Sequence, residues 1–216
     1  MKQFSLIFIS AFCLVQISIA QQSSLYFAAY PALTPDGNTL IFSYDGDLWS
    51  SGLNGNSTNR LTAMQGASTR PKVSPDGKWI AFTNSQFGNQ DIYVMQAAGG
   101  EIRRLTFHSA NDMVESWSWK SDAIYFTSNR YDRMSTYKIS LSGGTPQRVF
   151  GNSFFDYTHD AVEHPLTGEV FFSDTWESSL FANRIGYKGP FNPDIQSYNF
   201  KTKKHKSYTD WEGKDM

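Results

Sequence analysis

Pro31-Ala-Leu-Thr-Pro-Asp-Gly37 and Pro71-Lys-Val-Ser-Pro-Asp-Gly77 are two versions of one heptapeptide, set 40 residues apart. Each ends in a turn signal. Proline presets the backbone of the first turn position, aspartate bonds its own following amides, and glycine accepts positive φ. Asp36, Gly37, Asp76 and Gly77 are therefore read as structural turn residues. Two further landmarks keep phase with the heptapeptide. Arg60-Leu61-Thr62 returns as Arg104-Leu105-Thr106 and, weakened, as Arg148-Val149-Phe150, at steps of 44. Asp47-Leu48-Trp49 returns 44 on as Asp91-Ile92-Tyr93, and Thr136-Tyr137 again places an aromatic 44 after Tyr93. A third copy opens at Ser116-Trp117-Ser118, where Trp119-Lys120-Ser121 replaces the Pro-Asp-Gly turn. A fourth reads His164-Pro165-Leu166-Thr167-Gly168 and closes with Tyr208-Thr209-Asp210. Three landmarks in one order and phase mark an internal repeat.

Within the second copy, Pro71 to Ser74 leads through the turn into Lys78 to Asn84, which alternates apolar and polar residues. Asp91 to Gln96 and Glu101 to Thr106 follow, divided by Gly99-Gly100. Four short strands in about 40–45 residues is the spacing of a propeller blade. No stretch carries a convincing helical period, which disfavours a parallel βαβ arrangement. The expected fold is all-β, a β-propeller of four-stranded antiparallel blades with about four present. The expected blades span approximately residues 25–68, 69–112, 113–156 and 157–216. Trp49, Trp79, Tyr93, Phe42, Phe82 and Phe126 are expected to pack between blades. The recurrence of Asp47 and Asp91 assigns them to the scaffold.

The first twenty residues read differently. Lys2 precedes an apolar run from Phe4 to Ile19, and Ser18-Ile19-Ala20 has the small residues of a signal-peptide cleavage site. Cleavage is expected between Ala20 and Gln21, giving an exported protein, periplasmic or extracellular. The run is interrupted by Ser5, Ser10, Gln16 and Ser18, which argues against a bilayer span of roughly 20 apolar residues. Cys13 is the only cysteine, so a chain cleaved after Ala20 has no disulfide, thiolate metal site or cysteine nucleophile. Lys and Arg number 19 against 20 Asp and Glu, a formal charge of −1. Such a balance gives no electrostatic reason to seek nucleic acid or anionic lipid. The one basic run, Lys201 to Lys206, reads as a solvated turn.

Serine, histidine and aspartate are all present, but no catalytic motif is. Gly66-Ala-Ser68-Thr-Arg70 lacks the second glycine of a nucleophile elbow, and no H-E-x-x-H, P-loop or G-x-G-x-x-G occurs. His159 and His164, with Asp156, Asp160 and Glu163, are the densest group of potential metal ligands, yet their spacing matches no metal pattern. Asp45-Gly46-Asp47 reads as a tight hairpin turn and not as a calcium loop. No catalytic residue, metal or cofactor is assigned. A functional surface is expected on the channel and its rim, because inner strands line the channel of a propeller and inter-blade loops form its mouth. The candidates are Arg70, His108, Asn111, Asp112, Asn129, Arg130 and Arg133. The insertion Gly186 to Asp194, rich in glycine and proline, is the least regular segment and a surface loop.

PALTPDGNTLIFSYDGDLW (31–49) and PKVSPDGKWIAF (71–82) resemble the WD40-like, or PD40, repeats of TolB, prolyl-oligopeptidase-type peptidases and tricorn protease. RRLTFHSANDMVESWSW (103–119) and the segment from Ile185 to Met216 are similar to the corresponding links and fourth blade of bacterial tricorn homologues. TolB would place an α/β domain before its propeller, whereas here the first repeat begins soon after Ala20. The resemblance covers essentially all of residues 25–216. It implies a six-bladed propeller of which these blades are a part, followed in the family by a second propeller, a PDZ domain and an S41-type serine peptidase core. None of the family's catalytic positions has a counterpart in these residues. The chain ends at Met216 near the end of a fourth blade, read as a fragment of a longer frame or a degenerate descendant. The implied function is peptide recognition or channelling by a non-catalytic propeller. Its partners would be peptides, the remaining domains of its parent, and further copies through open blade faces. The alternative is a TolB-like periplasmic interaction module without enzymatic role, and the downstream reading frame separates the two.

Overall fold

The computed structural model describes residues 27–131, 133–151, 157–174 and 194–209. The expected leader with its Ala20–Gln21 junction, Asp156, and the insertion up to residue 193 lie outside the described residues. Among the described residues there is no helix long and apolar enough to cross a membrane.

Sixteen strands form four separate four-stranded sheets, each an antiparallel meander in chain order. The first blade holds β1 (Ala29–Leu33), β2 (Thr39–Tyr44), β3 (Asp47–Gly52) and β4 (Asn59–Arg60). The second holds β5 (Ser68–Val73), β6 (Trp79–Asn84), β7 (Asp91–Gln96) and β8 (Arg103–Arg104). The third is β9 (Asp112–Trp117), β10 (Ala123–Tyr131), β11 (Arg133–Ser140) and β12 (Gln147–Arg148). The fourth is β13 (His159–Glu163), β14 (Val170–Ser173), β15 (Ile195–Asn199) and β16 (Lys204–Ser207). Ser68 and Asp112, at the approximate blade boundaries, begin the inner strands β5 and β9.

The turn chemistry behaves as its residues dictate. Thr34 Oγ1 donates to Asp36 at 2.6 Å and Ser74 Oγ to Asp76 at 2.6 Å. These hydroxyls hold both carboxyls below the ordinary carboxylate range. Gly37 and Gly77 sit at φ 72° and 73°. In the third blade Ser121 takes the same left-handed position at φ 60°, and Ser118 Oγ donates to Asp122. In the fourth, His164 Nδ1 accepts the amides of Leu166 and Thr167, so an imidazole stands in for the hydroxyl–carboxylate pair.

The recurring Asp and Arg-Leu-Thr landmarks are two halves of one knot. Thr106 Oγ1 accepts the Ile92 amide at 3.0 Å and donates to Asp91 at 3.3 Å, while Arg104 pairs with Asp91 at 2.7 Å. Arg60, Thr62 and Asp47 repeat this in the first blade, and Thr209 bonds Asp194 and Ile195 in the fourth. The third blade has Ser135 where the aspartate would be, and Arg148 donates to it at 2.9 Å. A third strand is thereby tied to the outer strand of its own blade.

Blades are joined by repeated links as well. The amides of Ser68, Asp112 and Thr158 donate to the carbonyls of Gly46, Gln90 and Met134, the hairpin residues of the preceding blade. Apolar clusters fill the interfaces: Ile41 and Leu48 meet Ile80, Phe82, Tyr93 and Met95, and Ala81, Ile92 and Val94 meet Val114, Ile124, Phe126 and Tyr137. Phe42, Phe82, Phe126 and Tyr93 are buried, whereas Trp49 and Trp79 are only partly so.

One link tolerates no side chain. A Cβ on Gly66 (φ 76°) would lie 2.6 Å from the Ser85 carbonyl carbon and 2.7 Å from the Gln86 nitrogen. Gly66→Ala is expected to cost roughly 2–4 kcal/mol, combining positive φ with overpacking against backbone. An unchanged urea midpoint would show that the link can shift aside.

Candidate functional site

The inner strands β1, β5, β9 and β13 lie side by side in that order. Each carries a bulge at the same place. In the first blade Tyr30 and Pro31 oppose the single residue Phe42. In the second Arg70 and Pro71 oppose Phe82, in the third Val114 and Glu115 oppose Phe126, and in the fourth Asp160 and Ala161 oppose Phe172. A buried phenylalanine thus backs every bulge. The sequence suggested a strand starting at Pro71; the bulge lets β5 run through it, because a proline without an amide hydrogen needs no ladder partner there. Bulges of this kind re-aim side chains.

The first bulge residue is left-handed in three blades: Tyr30 at φ 53°, Arg70 at 52° and Asp160 at 55°. Val114, whose branched side chain tolerates that region poorly, is the exception, and its amide donates to Thr83 Oγ1 of the preceding blade. The Arg70 guanidinium lies 5.3 Å from the Tyr30 ring centroid. Asp160 Oδ2 lies 2.6 Å from Nδ1 of the buried His159. Its carboxyl is held below the ordinary range by His159 first, with Arg70 and Lys72 adding to the effect. Glu115 reaches across from the third blade to the fourth: the amides of Asp160 and Ala161 donate to its two oxygens at 2.6 and 3.1 Å. Burial pushes this carboxyl up to about 8, against the pull of those amides and with Asp160 adding to the rise.

That shift has a defined sign. The folded pKa lies above the unfolded value, so the native state holds the proton more tightly. The stabilisation is full below about 4.5, the unfolded value, and is lost as pH rises through about 8. Urea midpoints of the parent and Glu115→Gln between pH 4 and 9 are expected to differ in slope, with the parent alone losing stability across this window. Parallel pH profiles would refute the assignment.

Of the residues expected on the rim, Arg70 stands at the bulge of β5 and Asp112 begins the inner strand β9. His108, Asn111, Asp112, Asn129 and Arg130 come together elsewhere, at the junction of the second and third blades. His108 Nδ1 accepts the Ala110 amide, Asn111 Oδ1 accepts the Gln90 amide, and Asn129 Oδ1 accepts the Asn111 amide. Asp112 is fully buried and pairs with Arg130 at 2.6 Å. The Asn111–Gln90 bond joins the two blades, while the Asp112–Arg130 pair ties β9 to β10 within the third. Arg133, at the start of β11, lies 4.8 Å from the Tyr157 ring. Among the described residues no three His, Cys, Asp or Glu side chains are grouped to hold a metal ion. Sequence reasoning missed Tyr30 and Glu115 on the inner strands, and it weighed His159 and Asp160 only as metal ligands. Their only signal was position: each falls just before or within the aligned inner strand, with no residue type in common.

Residues 26–216 match the family described as the tricorn protease N-terminal beta propeller domain. The chain belongs to that family. A Tricorn-like protease N-terminal subunit of Sulfurisphaera tokodaii is 35% identical over 127 residues, which cover 54% of this chain and 64% of that protein. A tricorn protease homolog of Saccharolobus solfataricus is 31% identical over 121 residues, 52% of this chain and 11% of that one. The tricorn-type propeller therefore spans less than two thirds of either relative. Among solved structures, the tricorn protease superposes with a TM-score of 0.69 at 17% identity, over 87% of this chain and 18% of its own. TolB from Acinetobacter baumannii gives 0.61 at 19% identity, over 84% and 43%. At these identities the likeness to the tricorn-type propeller is one of fold.

Proposed function

We propose that this chain is the N-terminal propeller of an exported, tricorn-like serine peptidase, non-catalytic itself, and that its channel recognises or conducts peptides for a catalytic core elsewhere in the parent protein. The observation that carries this reading is the run of bulged inner strands, which turns Arg70, Asp160 and Tyr30 toward one surface while the repeated landmarks are consumed by the scaffold. Extended peptides suit such a surface, since β-strands and their edges offer backbone partners at regular spacing. Family membership favours this over a TolB-like interaction module. The apolar leader supports export, with Gln21 as the mature N-terminus.

The proposed ring has six blades. On the first blade, Leu40, Phe42, Leu53 and Pro31 line an open apolar groove of about 330 Å³. The equivalent face of the second blade, Ile80, Phe82, Tyr93 and Met95, is covered by the first. A further blade, or a second copy of the chain, would cover the groove by the same packing.

The test is to expose the leader-free chain to photo-crosslinking peptides, a mixed fluorogenic peptide library and a fluorophosphonate probe. Crosslinks on β1, β5, β9 or β13 without turnover are expected. Crosslinks confined to outer strands would sink the channel reading, and turnover with a labelled serine would sink the non-catalytic one.

A further inference from the structure

We infer that the left-handed bulge residues Tyr30, Arg70 and Asp160 are displayed for recognition, and that with Lys72 they take an acidic stretch of extended peptide. This rests on the channel reading and narrows its ligand. The blades preserve the bulge and the phenylalanine behind it, yet the displayed side chain is an aromatic, a cation and an anion in turn. What repeats is scaffold; what varies at a repeated place is free to serve something else. The backbone argues in the same direction. At φ 52–55° a side chain is strained against its own carbonyl, and glycine alone is free of that strain. The fold uses glycine at many of its left-handed turns, as at Gly37 and Gly77, and elsewhere mostly small or polar residues such as Asp45, Ser57 and Ser121. An aromatic and an arginine at a strand bulge therefore stand apart. Non-glycine residues held in such regions cluster at functional sites.

The charges then select the ligand. Arg70 and the exposed Lys72 stand on β5, Asp160 beside His159 on β13, and Glu115 on β9. Strand β9 lies between β5 and β13, and Glu115 on it bonds the Asp160 amide. This sets these side chains along adjacent inner strands, with Asp160 within the influence of the Arg70 and Lys72 charges. Glu115 spends both oxygens on the Asp160 and Ala161 amides and offers neither to a ligand. The surface thus presents two cations against one exposed carboxylate. The Arg70 guanidinium, 5.3 Å from the Tyr30 ring centroid, is a planar fork of donors that a carboxylate matches best.

Fluorescein-labelled (Gly-Glu)4, (Gly-Ser)4 and (Gly-Lys)4 serve as probes by anisotropy at low salt, with the full chain. The acidic peptide is expected to bind tightest. Arg70→Gly and Arg70→Gln should each weaken it about fivefold, and Asp160→Asn should strengthen it. Thermal melts give a readout independent of any peptide: Tyr30→Gly and Arg70→Gly should raise Tm by about 2 °C as the strain is relieved. Asp160→Gly should gain less, because aspartate tolerates the left-handed region better. A fall in Tm for the glycine variants would show that the fold needs these side chains, overturning the display argument. Equal binding of the three peptides would overturn the acidic preference and leave the channel reading standing. Binding of none would overturn both.

Discussion

Phe126→Ala is expected to destabilise the chain by roughly 3–5 kcal/mol, the cost of an emptied site in a packed core. Phe126 has no solvent exposure and stacks on Tyr137 with ring centroids 5.8 Å apart. It belongs to the cluster that joins the second and third blades, so the cavity would open at a blade interface and not within one sheet. It also stands behind the third bulge, and the Arg130 guanidinium lies 5.4 Å from its ring. Neither backbone nor neighbours can easily collapse into the space. At about 2–4 °C per kcal/mol for a chain of this size, Tm should fall by roughly 10 °C. Phe42→Ala provides the control. It occupies the same place in the first blade but borders the open groove, so its removal leaves no closed cavity. A loss of about 2 kcal/mol is expected there, that of transfer alone. Equal losses at both positions would mean that the first blade's outer face is covered in solution.

Asp91→Ala should cost about 3 kcal/mol, because breaking a buried pair strands the remaining charge. The aspartate is fully buried, and Arg104 beside it is only 19% exposed. Removal takes away the partner of that guanidinium and the acceptor for Thr106 Oγ1, loosening the bond from the Ile92 amide. Burial nonetheless outweighs Arg104 and raises the Asp91 carboxyl, so the charge itself is held at a cost. Asp91→Ser separates the two contributions. The third blade already has serine at this place, with Arg148 Nη2 donating to Ser135 where the other blades use a buried anion. Asp91→Ser is expected to retain most of the stability lost by Asp91→Ala, read from urea midpoints. If serine proves as damaging as alanine, the pair's charge and not its hydrogen bonds holds the outer strand.

What the amino-acid order determined alone was everything closed within a single blade. The Pro-Asp-Gly turns act across a few residues: Thr34 bonds Asp36, and Ser74 bonds Asp76. The Asp and Arg-Leu-Thr landmarks meet across about 15 residues, a separation set by two strands and one hairpin, so their common phase announced both strand count and blade repeat. Interactions so local leave a fixed spacing in the chain. The channel left none. Tyr30, Arg70 and Asp160 share no chemistry, and their common placement follows from a one-residue bulge whose register depends on the neighbouring strand. Glu115 meets the Asp160 and Ala161 amides across 45 and 46 residues, through a contact made only once two blades have packed. The same holds for Asn111, whose side chain accepts the Gln90 amide of the preceding blade. Turn chemistry is written in residue types, whereas side-chain direction on an inner strand is decided by which blade lies beside it.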